Sequence, residues 1–515
     1  MLTRRSTTTA ALVVIALVAS ACGSGTGTVG PSGAGGSTGT GSTAPTSGTA
    51  SESAAASESA GASESAAASE SAAASESAPA SASASASASA AASTAPIAAS
   101  GEIFAFGVSY ETSDVIAKAR VDLFKEKYPD VNVTFSESGF DSQGFLTALQ
   151  SSDPPDVVRI SRDRLGTYVT RGVLEPATDC IAAAGVNMGD YREAAVNQVT
   201  MDGVVYGMPE FYWVSNWLVD NDLFTAAGVD PATWDVSNWD QIAAANQALI
   251  DKTETKVGID PKVSDNGDRF PMWVRAAGGA MLSDDGKESL LDTPEVAEAL
   301  TFTKSLLDAQ GGLVKFKDAL GQTGDFFGEE NGFVGDLEGA FPMQQWYLNV
   351  LAGASPDTKF TAKPFLGKDG QPAALAEGDV LAITSASDNK DAACAFITTM
   401  TSTEAWVAAA TQRAADTEAG SIQTGTSTAN KAAEEEIFGS IVDVGDNATF
   451  KAALDAYVGT FDAAFALPVS PAAEEFRQAW IDGVNAALTG EKEPAAAMQD
   501  ADRVAQDAID QVATP

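Results

Sequence analysis

Residues 102–135 read EIFAFGVSYETSDVIAKARVDLFKEKYPDVNVTF, and the order of patterns in this stretch decides the fold. The apolar residues at 102–108 predict a buried strand, and residues 115–128 carry apolar side chains on one helical face. Pro129 ends that helix, because proline lacks the amide hydrogen that a helix interior requires. Residues 131–135 then alternate apolar and polar side chains, as a strand does. The stretch therefore predicts a β-α-β unit.

The same alternation of strand and helix continues beyond this unit. Residues 143–150 predict a short helix, and the apolar residues 157–160 predict a third strand. This β-α-β-α-β order implies an α/β fold, with a parallel sheet covered by helices on both faces. Such sheets bind ligands beyond the carboxyl ends of their strands. Polar loops follow the three strands at 109–113, 138–143 and 161–164, and we expect ligand contacts there.

Helices dominate the C-terminal third of the chain. Apolar residues recur at helical spacing in 471–488 and again in 494–512. The chain is therefore predicted to be α/β with a helix-rich C-terminal part.

The N-terminus has the features of an export signal. Arg4 and Arg5 precede a short apolar run, residues 10–18, and small residues then lead to Cys22. The run is far shorter than the roughly 20 apolar residues that span a bilayer. The residues before Cys22 resemble a lipobox, with Ala19 where leucine is usual. We expect a lipoprotein signal peptide at 1–21 and a lipid on Cys22. The alternative is a secreted protein with an incidental cysteine.

Residues 22–100 are predicted to be a tether. They are nearly all Ser, Ala, Gly and Thr, with glutamates repeating every six residues from Glu52 to Glu76. Without large apolar side chains, nothing offsets the entropy lost on folding. A flexible coil of this length has a root-mean-square reach of roughly 50 Å. The folded part is therefore expected at 101–515. The tether would hold it clear of the membrane, and the lipid anchor would be its only attachment to the membrane.

Charge and composition exclude several classes of function. The chain of 515 residues has a net charge of −40, and about −37 of it falls on residues 101–515. Such a surface repels nucleic acid and anionic lipid, so neither is an expected partner. The sequence contains no histidine. This excludes histidine-dependent catalytic triads and histidine zinc sites. No phosphate-binding loop, calcium loop or nucleophile elbow is present, and we expect neither metal nor cofactor.

Two cysteines remain besides Cys22. An even pair in an exported protein suggests one disulfide, between Cys180 and Cys394. The alternative is two buried free thiols.

Several segments, in order, resemble the extracellular solute-binding proteins of ABC importers, specifically the carbohydrate family related to maltodextrin-binding protein. They are residues 124–129, 155–158, 163–168, 172–176, 206–209, 221–224, 233–240, 278–279, 290–296, 346 and 389–399. The resemblance implies two α/β lobes of the periplasmic-binding-protein type, joined by hinge crossings, with a ligand held in the cleft between them.

The resemblance also implies where the lobes begin and end. We expect the first lobe at 101–213, returning at 379–430, and the second lobe at 214–378. Residues 431–515 would be a helical part, mostly in the second lobe. The implied function is capture of a sugar or oligosaccharide outside the cell membrane and delivery to the ABC permease. The protein would be a monomer and not an enzyme.

A sugar cleft needs aromatic rings for the C–H faces of the sugar, and acids, amides and arginines for its hydroxyls. By the resemblance, Asp163 and Arg164 align with a pair that binds hydroxyls, and Trp213 occupies a contact position. Trp346 matches a stacking tryptophan. The further candidates are neighbours in sequence, ends of predicted strands or residues of the corresponding second-lobe region: Tyr110, Glu111, Phe140, Asp141, Phe211, Tyr212, Asp268, Trp273 and Gln345.

Glu377 stands where many relatives have a glycine. A carboxylate here could bind a hydroxyl or a cationic ligand, so an amino sugar or polyamine is an alternative to a neutral sugar. An alternative of another class is a secreted glycosidase that uses paired carboxylates.

Overall fold

The computed structural model describes residues 97–108, 115–136, 139–265, 267–416 and 421–513, which fall in one compact unit. Among these residues, no helix is both long and apolar enough to cross a membrane. The expected signal peptide, Cys22 and nearly all of the tether lie outside the described residues, as do Tyr110 and Glu111.

Within the described residues the chain forms twelve strands. They are β1 (Gly101–Phe106), β2 (Val131–Phe135), β3 (Val157–Ser161), β4 (Thr200–Met201), β5 (Val204–Val205), β6 (Met208–Pro209), β7 (Trp213–Asp220), β8 (Val257–Ile259), β9 (Glu338–Gln344), β10 (Phe360–Lys363), β11 (Ala376–Glu377) and β12 (Asp379–Ile383).

Seventeen α-helices lie in the same part of the chain, with short 3₁₀ turns at Arg162–Arg164 and Met188–Asp190. The helices are α1 (Val115–Lys127), α2 (Ser142–Ala148), α3 (Leu165–Thr170), α4 (Thr178–Ala184), α5 (Glu193–Gln198), α6 (Asn221–Ala227), α7 (Trp239–Lys252), α8 (Phe270–Ala276), α9 (Pro294–Ala309), α10 (Leu313–Leu320), α11 (Tyr347–Ala354), α12 (Lys390–Met400), α13 (Thr403–Asp416), α14 (Lys431–Ser440), α15 (Ala448–Phe461), α16 (Ala473–Leu488) and α17 (Pro494–Ala513).

The first sheet has the strand order β2-β1-β3-β12-β6. Strand β1 pairs in parallel with both β2 and β3, which confirms the parallel arrangement predicted for the three strands. Strand β12 returns from far along the chain and pairs antiparallel with β3 and β6. Ile103 and Ala105 of β1 are fully buried, as the apolar pattern requires. We call this sheet and the helices packed on it the first lobe.

The second sheet has the order β10-β7-β9-β8, with β11 paired to β7 outside this path. Strands β7 and β9 are antiparallel, whereas β8 and β9 are parallel. Trp217 of β7 is fully buried between the rings of Trp234, Trp273 and Phe365. This sheet and its helices form the second lobe.

The chain passes between the lobes several times, and two of the connecting segments are short and lie side by side. The first crossing, residues 210–212, leads from β6 to β7, and the second crossing, residues 377–379, leads from β11 to β12. The two crossings meet directly, because the amide of Glu210 donates to the carbonyl of Asp379 at 2.8 Å. The loops at the ends of β3, β7, β9 and β11 are therefore brought to one region.

Helix α16 contacts both lobes. It packs on α17 and α9 of the second lobe and on α3 of the first. Cys180 of α4 and Cys394 of α12 form a disulfide within the first lobe.

Candidate ligand-binding site

A cavity of about 280 Å³ lies where the two lobes meet. Its lining comes from both sheets and from α16, and includes Ser161, Asp163, Arg164, Trp213, Asp268, Arg269, Gln344, Glu377, Arg477 and Trp480. Five residues predicted from the sequence therefore share one cavity, namely Asp163, Arg164, Trp213, Asp268 and Glu377.

Glu377 is held by two side chains of the second lobe. Arg269 Nη1 lies 2.8 Å from Glu377 Oε1, and the amide of Gln344 donates to Glu377 Oε2 at 2.8 Å. Burial raises the pKa of Glu377, and Arg269 opposes that rise. The carboxylate and guanidinium together present acceptors and donors in fixed positions to any polar ligand.

A second acid–arginine pair crosses the gap between the lobes. Arg477 Nε of α16 lies 3.6 Å from Asp163 Oδ2, at the end of β3. Burial raises the pKa of Asp163, with Arg477 and Arg164 acting in the opposite direction. Burial likewise raises the pKa of Asp268, against the nearby Arg269. The cavity thus combines three buried acids with arginines that lower the pKa of these acids and so favour their charged forms.

Arg164 is bound to α16. Its Nη2 donates to Glu474 Oε2 at 2.8 Å and to the hydroxyl of Ser142 at 3.1 Å. The hydroxyl of Tyr168 donates to Glu474 Oε1 at 2.7 Å. Burial alone would raise the pKa of Glu474, but the hydrogen bonds from Arg164 and Tyr168 outweigh it and lower the pKa. Arg164 thus connects the first lobe to α16, which packs on the second lobe, at the edge of the cavity.

Two tryptophans supply the aromatic part of the lining. Trp213 is half-buried and stacks on Phe211, with ring centroids 5.2 Å apart and planes 20° apart. Trp480, on α16, packs at 6.2 Å from Phe270. Phe211 in turn contacts Trp406 edge-on, so it supports Trp213 from behind. An indole ring suits the C–H face of a sugar.

A second cavity, of about 440 Å³, adjoins the first and shares Asp268, Arg269 and Gln344 with it. Trp346 lines this second cavity, and its indole stacks on Phe327 at 6.1 Å. The predicted aromatic contacts Trp213 and Trp346 therefore lie in adjoining compartments that meet at Gln344.

The structure places three of the predicted ligand contacts, Tyr212, Gln345 and Trp273, in buried positions that line neither cavity. The Tyr212 hydroxyl donates to the carbonyl of Phe461 at 3.0 Å. Gln345 accepts from the amide of Val214 and donates to the carbonyl of Tyr212.

The local backbone explains two of these placements. Tyr212 directly precedes β7, where successive side chains face opposite ways, so it points away from Trp213. Gln345 lies in the turn that follows β9, and its amide group binds the backbone of Val214 and Tyr212. Trp273 lies on α8 instead, where its indole donates to the carbonyl of Pro261 within the core of the second lobe.

Three further candidates lie off the cavity. Phe211 supports Trp213, as described above. Phe140 packs edge-on against Tyr168 at 5.6 Å, under the guanidinium of Arg164. The Asp141 carboxylate caps α2 by accepting from the amide of Gly144.

Sequence reasoning missed Arg477 and Trp480, and did not select Arg269 or Gln344 as contacts. Glu474, Arg477 and Trp480 follow one another at intervals of three residues, so each lies beside the next on the surface of α16. That spacing is the available signal, but it does not show which face of the helix meets a cleft.

The family and structural comparisons agree with this arrangement. Residues 108–405, more than half of the chain, match the model of the bacterial extracellular solute-binding protein family. The chain belongs to this family. No curated protein sequence is similar enough to the chain to count as a match.

Solved structures share the fold at low sequence identity. An ABC substrate-binding protein from Listeria monocytogenes in complex with cycloalternan is 20% identical, with a TM-score of 0.64, and the match covers 80% of this chain and 99% of that one. A solute-binding protein from Thermotoga lettingae bound with α-D-tagatose is 21% identical, with a TM-score of 0.63 and coverage of 79% and 99%. UgpB from Mycobacterium tuberculosis in complex with glycerophosphocholine is 18% identical, with a TM-score of 0.61 and coverage of 80% and 99%. These likenesses show the two-lobed α/β fold of solute-binding proteins.

Proposed function

We propose that this protein captures a sugar or oligosaccharide in the cavity between its lobes and delivers it to the permease of an ABC importer. The observation that carries the proposal is one cavity, lined from both lobes, that combines Trp213 and Trp480 with the pairs Arg269–Glu377 and Asp163–Arg477.

This lining matches the two kinds of surface on a sugar. The indoles of Trp213 and Trp480 offer π faces to apolar C–H groups. The carboxylate of Glu377 accepts hydrogen bonds from hydroxyls, while Arg269 donates to hydroxyl oxygens. Structurally similar proteins in complex with cycloalternan and tagatose support this ligand class.

The adjoining cavity supports a ligand of more than one ring. It opens from the first at Asp268, Arg269 and Gln344 and offers Trp346 as a further stacking surface. A chain of sugar rings that occupies both compartments would contact both lobes. Ligand that contacts both lobes favours the closed state, because it gains interactions there that the open state lacks.

The location and partners follow from the N-terminal sequence. We propose that a lipid on Cys22 anchors the protein to the outer face of the cell membrane, with residues 22–100 as the tether. The folded part would act as a monomer that meets the permease subunits. No nucleic acid is an expected partner for so acidic a chain.

A thermal-shift screen of the purified full-length chain tests the ligand class. The panel holds glucose, tagatose, maltose, maltotriose and mannobiose. A ligand that binds only the native state raises the melting temperature, and the rise grows with the ratio of the ligand concentration to Kd. We expect at least one sugar to raise it, and a Trp213→Ala variant to lose that response. Phe302→Leu, a half-buried position packed against the core of the second lobe and away from both cavities, should keep it. A panel without any response would contradict the proposal.

A cationic ligand is the second candidate. Asp163, Asp268 and Glu377 line one small cavity, and burial raises the pKa of each. A cationic ligand bound beside them would favour their charged forms. The relative in complex with glycerophosphocholine also shows that this fold accepts ligands other than sugars. Calorimetry with glucosamine and with spermidine at two salt concentrations separates the candidates, because only charge-driven binding weakens markedly with salt.

We propose binding without catalysis. A glycosidase needs a carboxylic acid that presents its proton to the glycosidic oxygen and a second carboxylate opposite it. Both oxygens of Glu377 are already hydrogen-bonded, to Arg269 and to Gln344. Incubation with the oligosaccharides of the panel should leave them intact, and turnover would favour the glycosidase instead.

A further inference from the structure

Arg162 lies beside the candidate site, buried in the 3₁₀ turn that follows β3. Only 1% of its surface is exposed. The sequence places it next to Asp163, but its guanidinium points away from the cavity and into the two crossings.

Nε of Arg162 donates to Gln198 Oε1 at 3.0 Å, and the other donors named here bind the two crossings. Three donors bind the second crossing. Nη2 donates to the carbonyl of Glu377 at 2.6 Å, and Nη1 donates to the carbonyl of Asp379 at 3.3 Å. The backbone amide of Arg162 donates to the carbonyl of Gly378 at 3.0 Å. On the first crossing, Nη1 donates to the carbonyl of Phe211. One residue thus binds three successive carbonyls of one crossing and a carbonyl of the other.

Gly378 allows this close approach. A Cβ atom there would lie 2.1 Å from the carbonyl oxygen of Phe211 and 2.5 Å from Nη1 of Arg162. Its φ of +139° is also one that residues with a side chain rarely adopt. The second crossing therefore has no room for a side chain between Arg162 and the first crossing.

Both crossings lead directly into the candidate site. Phe211 stacks on Trp213, and the side chain of Glu377 lines the cavity while its carbonyl binds Arg162. A rotation of the lobes must turn backbone at these crossings. Any such rotation changes the distances between Arg162 and the carbonyls that it binds.

We propose that Arg162 is a positioning residue that ties the two hinge crossings together, so that they move as one unit and set the angle between the lobes. It acts through the backbone of the crossings and does not contact the ligand. The inference depends on the hinge and is independent of which ligand the cavity takes.

The chemistry of arginine suits this role. Burial lowers the pKa of Arg162 to about 10, with Asp379 opposing the decrease, so the side chain stays charged at neutral pH. Its planar fork donates in several fixed directions at once. Lysine keeps the charge, but its one nitrogen cannot take the positions of both Nη1 and Nη2, so it cannot bind the same set of carbonyls.

Hydrogen–deuterium exchange on the ligand-free, full-length chain tests the inference. In Arg162→Lys, we expect exchange to increase about tenfold or more in peptides that cover 208–214 and in peptides that cover 375–381. Peptides of α17 should exchange as in the unsubstituted protein. Arg171→Lys, an exposed arginine paired with Glu475, is the matched control and should change neither crossing. Gly378→Ala should also increase exchange at both crossings, since its Cβ displaces Arg162.

The unsubstituted protein provides a test that needs no variant. The amides of Arg162 and Glu210 each donate to the second crossing, at 3.0 and 2.8 Å. If the crossings open as one unit, these two amides should have protection factors within about threefold of each other. Widely different protection of the two amides, an increase at one crossing alone, or a uniform increase along the chain in Arg162→Lys would each overturn the inference.

Discussion

Replacing Glu377 by glutamine tests how much the acid at the centre of the cavity contributes to stability and to binding. The substitution keeps the size of the side chain but removes its charge. Glu377 now accepts from Arg269 and from Gln344, both at 2.8 Å. A glutamine has one acceptor oxygen, so its own amide group must face one of these two donors.

The structure gives the expected size of the effect. Breaking a buried ion pair from one side costs about 3–5 kcal/mol. Arg269 is 9% exposed but Glu377 is 25% exposed, so solvent screens part of that cost. Burial also raises the pKa of Glu377, so the fold already disfavours its charged form, and this offsets another part. We expect the free energy of unfolding to fall by about 1.5 kcal/mol, the lower end for a hydrogen bond to a charged group.

Urea denaturation of the purified protein measures this change, with the slope compared to exclude a change in the unfolded state. Glu475→Gln is the matched control. Glu475 also lies 2.8 Å from an arginine, Arg171, but both side chains are about 40% exposed. Such a surface pair contributes below about 1 kcal/mol.

Binding provides the second readout. For whichever sugar raises the melting temperature in the screen, we expect Glu377→Gln to weaken affinity by about 10- to 100-fold, corresponding to about 1.4–2.8 kcal/mol. Equal stability of Glu377→Gln and Glu475→Gln, together with unchanged affinity, would refute the role that we give to this carboxylate.

Three further predictions concern other parts of the chain. Trp480→Ala should weaken sugar affinity about tenfold or more by calorimetry, because one of the two indoles that line the first cavity is lost, and an unchanged affinity would remove α16 from the site. Burial and the nearby Asp336 raise the pKa of Asp220 to about 7. The native state therefore binds more protons than the unfolded state between about pH 4 and 7, and stability is lost as pH rises through that range. Asp336→Asn should reduce that loss, and asparagine tolerates the φ of 54° at this position. Urea titrations at pH 5 and pH 8 measure the difference in the free energy of unfolding, and an unchanged difference would contradict the effect of Asp336 on Asp220. The disulfide closes a sequence separation of 214 residues, so replacing both Cys180 and Cys394 by alanine should lower the free energy of unfolding by about 2–5 kcal/mol, and an unchanged urea midpoint would show that the bond does not constrain the chain.

The parallel core of the first lobe could be predicted from the sequence because its signals are local. The apolar pattern of β1, the face of α1 and the alternation in β2 each depend on residues within one segment. The antiparallel return of β12 between β3 and β6 has no such local signal. Its partners in β3 lie more than 200 positions away along the chain and those in β6 more than 170, and pairing at such distances is decided by the packing of the whole sheet.

The candidate site shows the same division. The resemblance predicted Trp213 as a ligand contact, and the structure places Trp213 in the lining of the cavity. The sequence did not show that its neighbours Phe211 and Tyr212 lie off the cavity, because the phase of the alternation depends on where β7 begins. The burial of Trp273 likewise depends on how α8 packs against β7, which its own residues do not specify.

By itself, the sequence determined that the folded chain is acidic, lacks histidine and begins with alternating strands and helices, since these follow from residue identity and spacing. Only the tertiary structure decided that Arg477 and Trp480 face Asp163 and Trp213 across one cavity, and that Arg162 binds the crossings instead of the cleft. The physical reason is that a cavity is formed by side chains from distant segments. Which residues line the cavity therefore depends on how the segments pack, and this packing cannot be read from the sequence of any one segment.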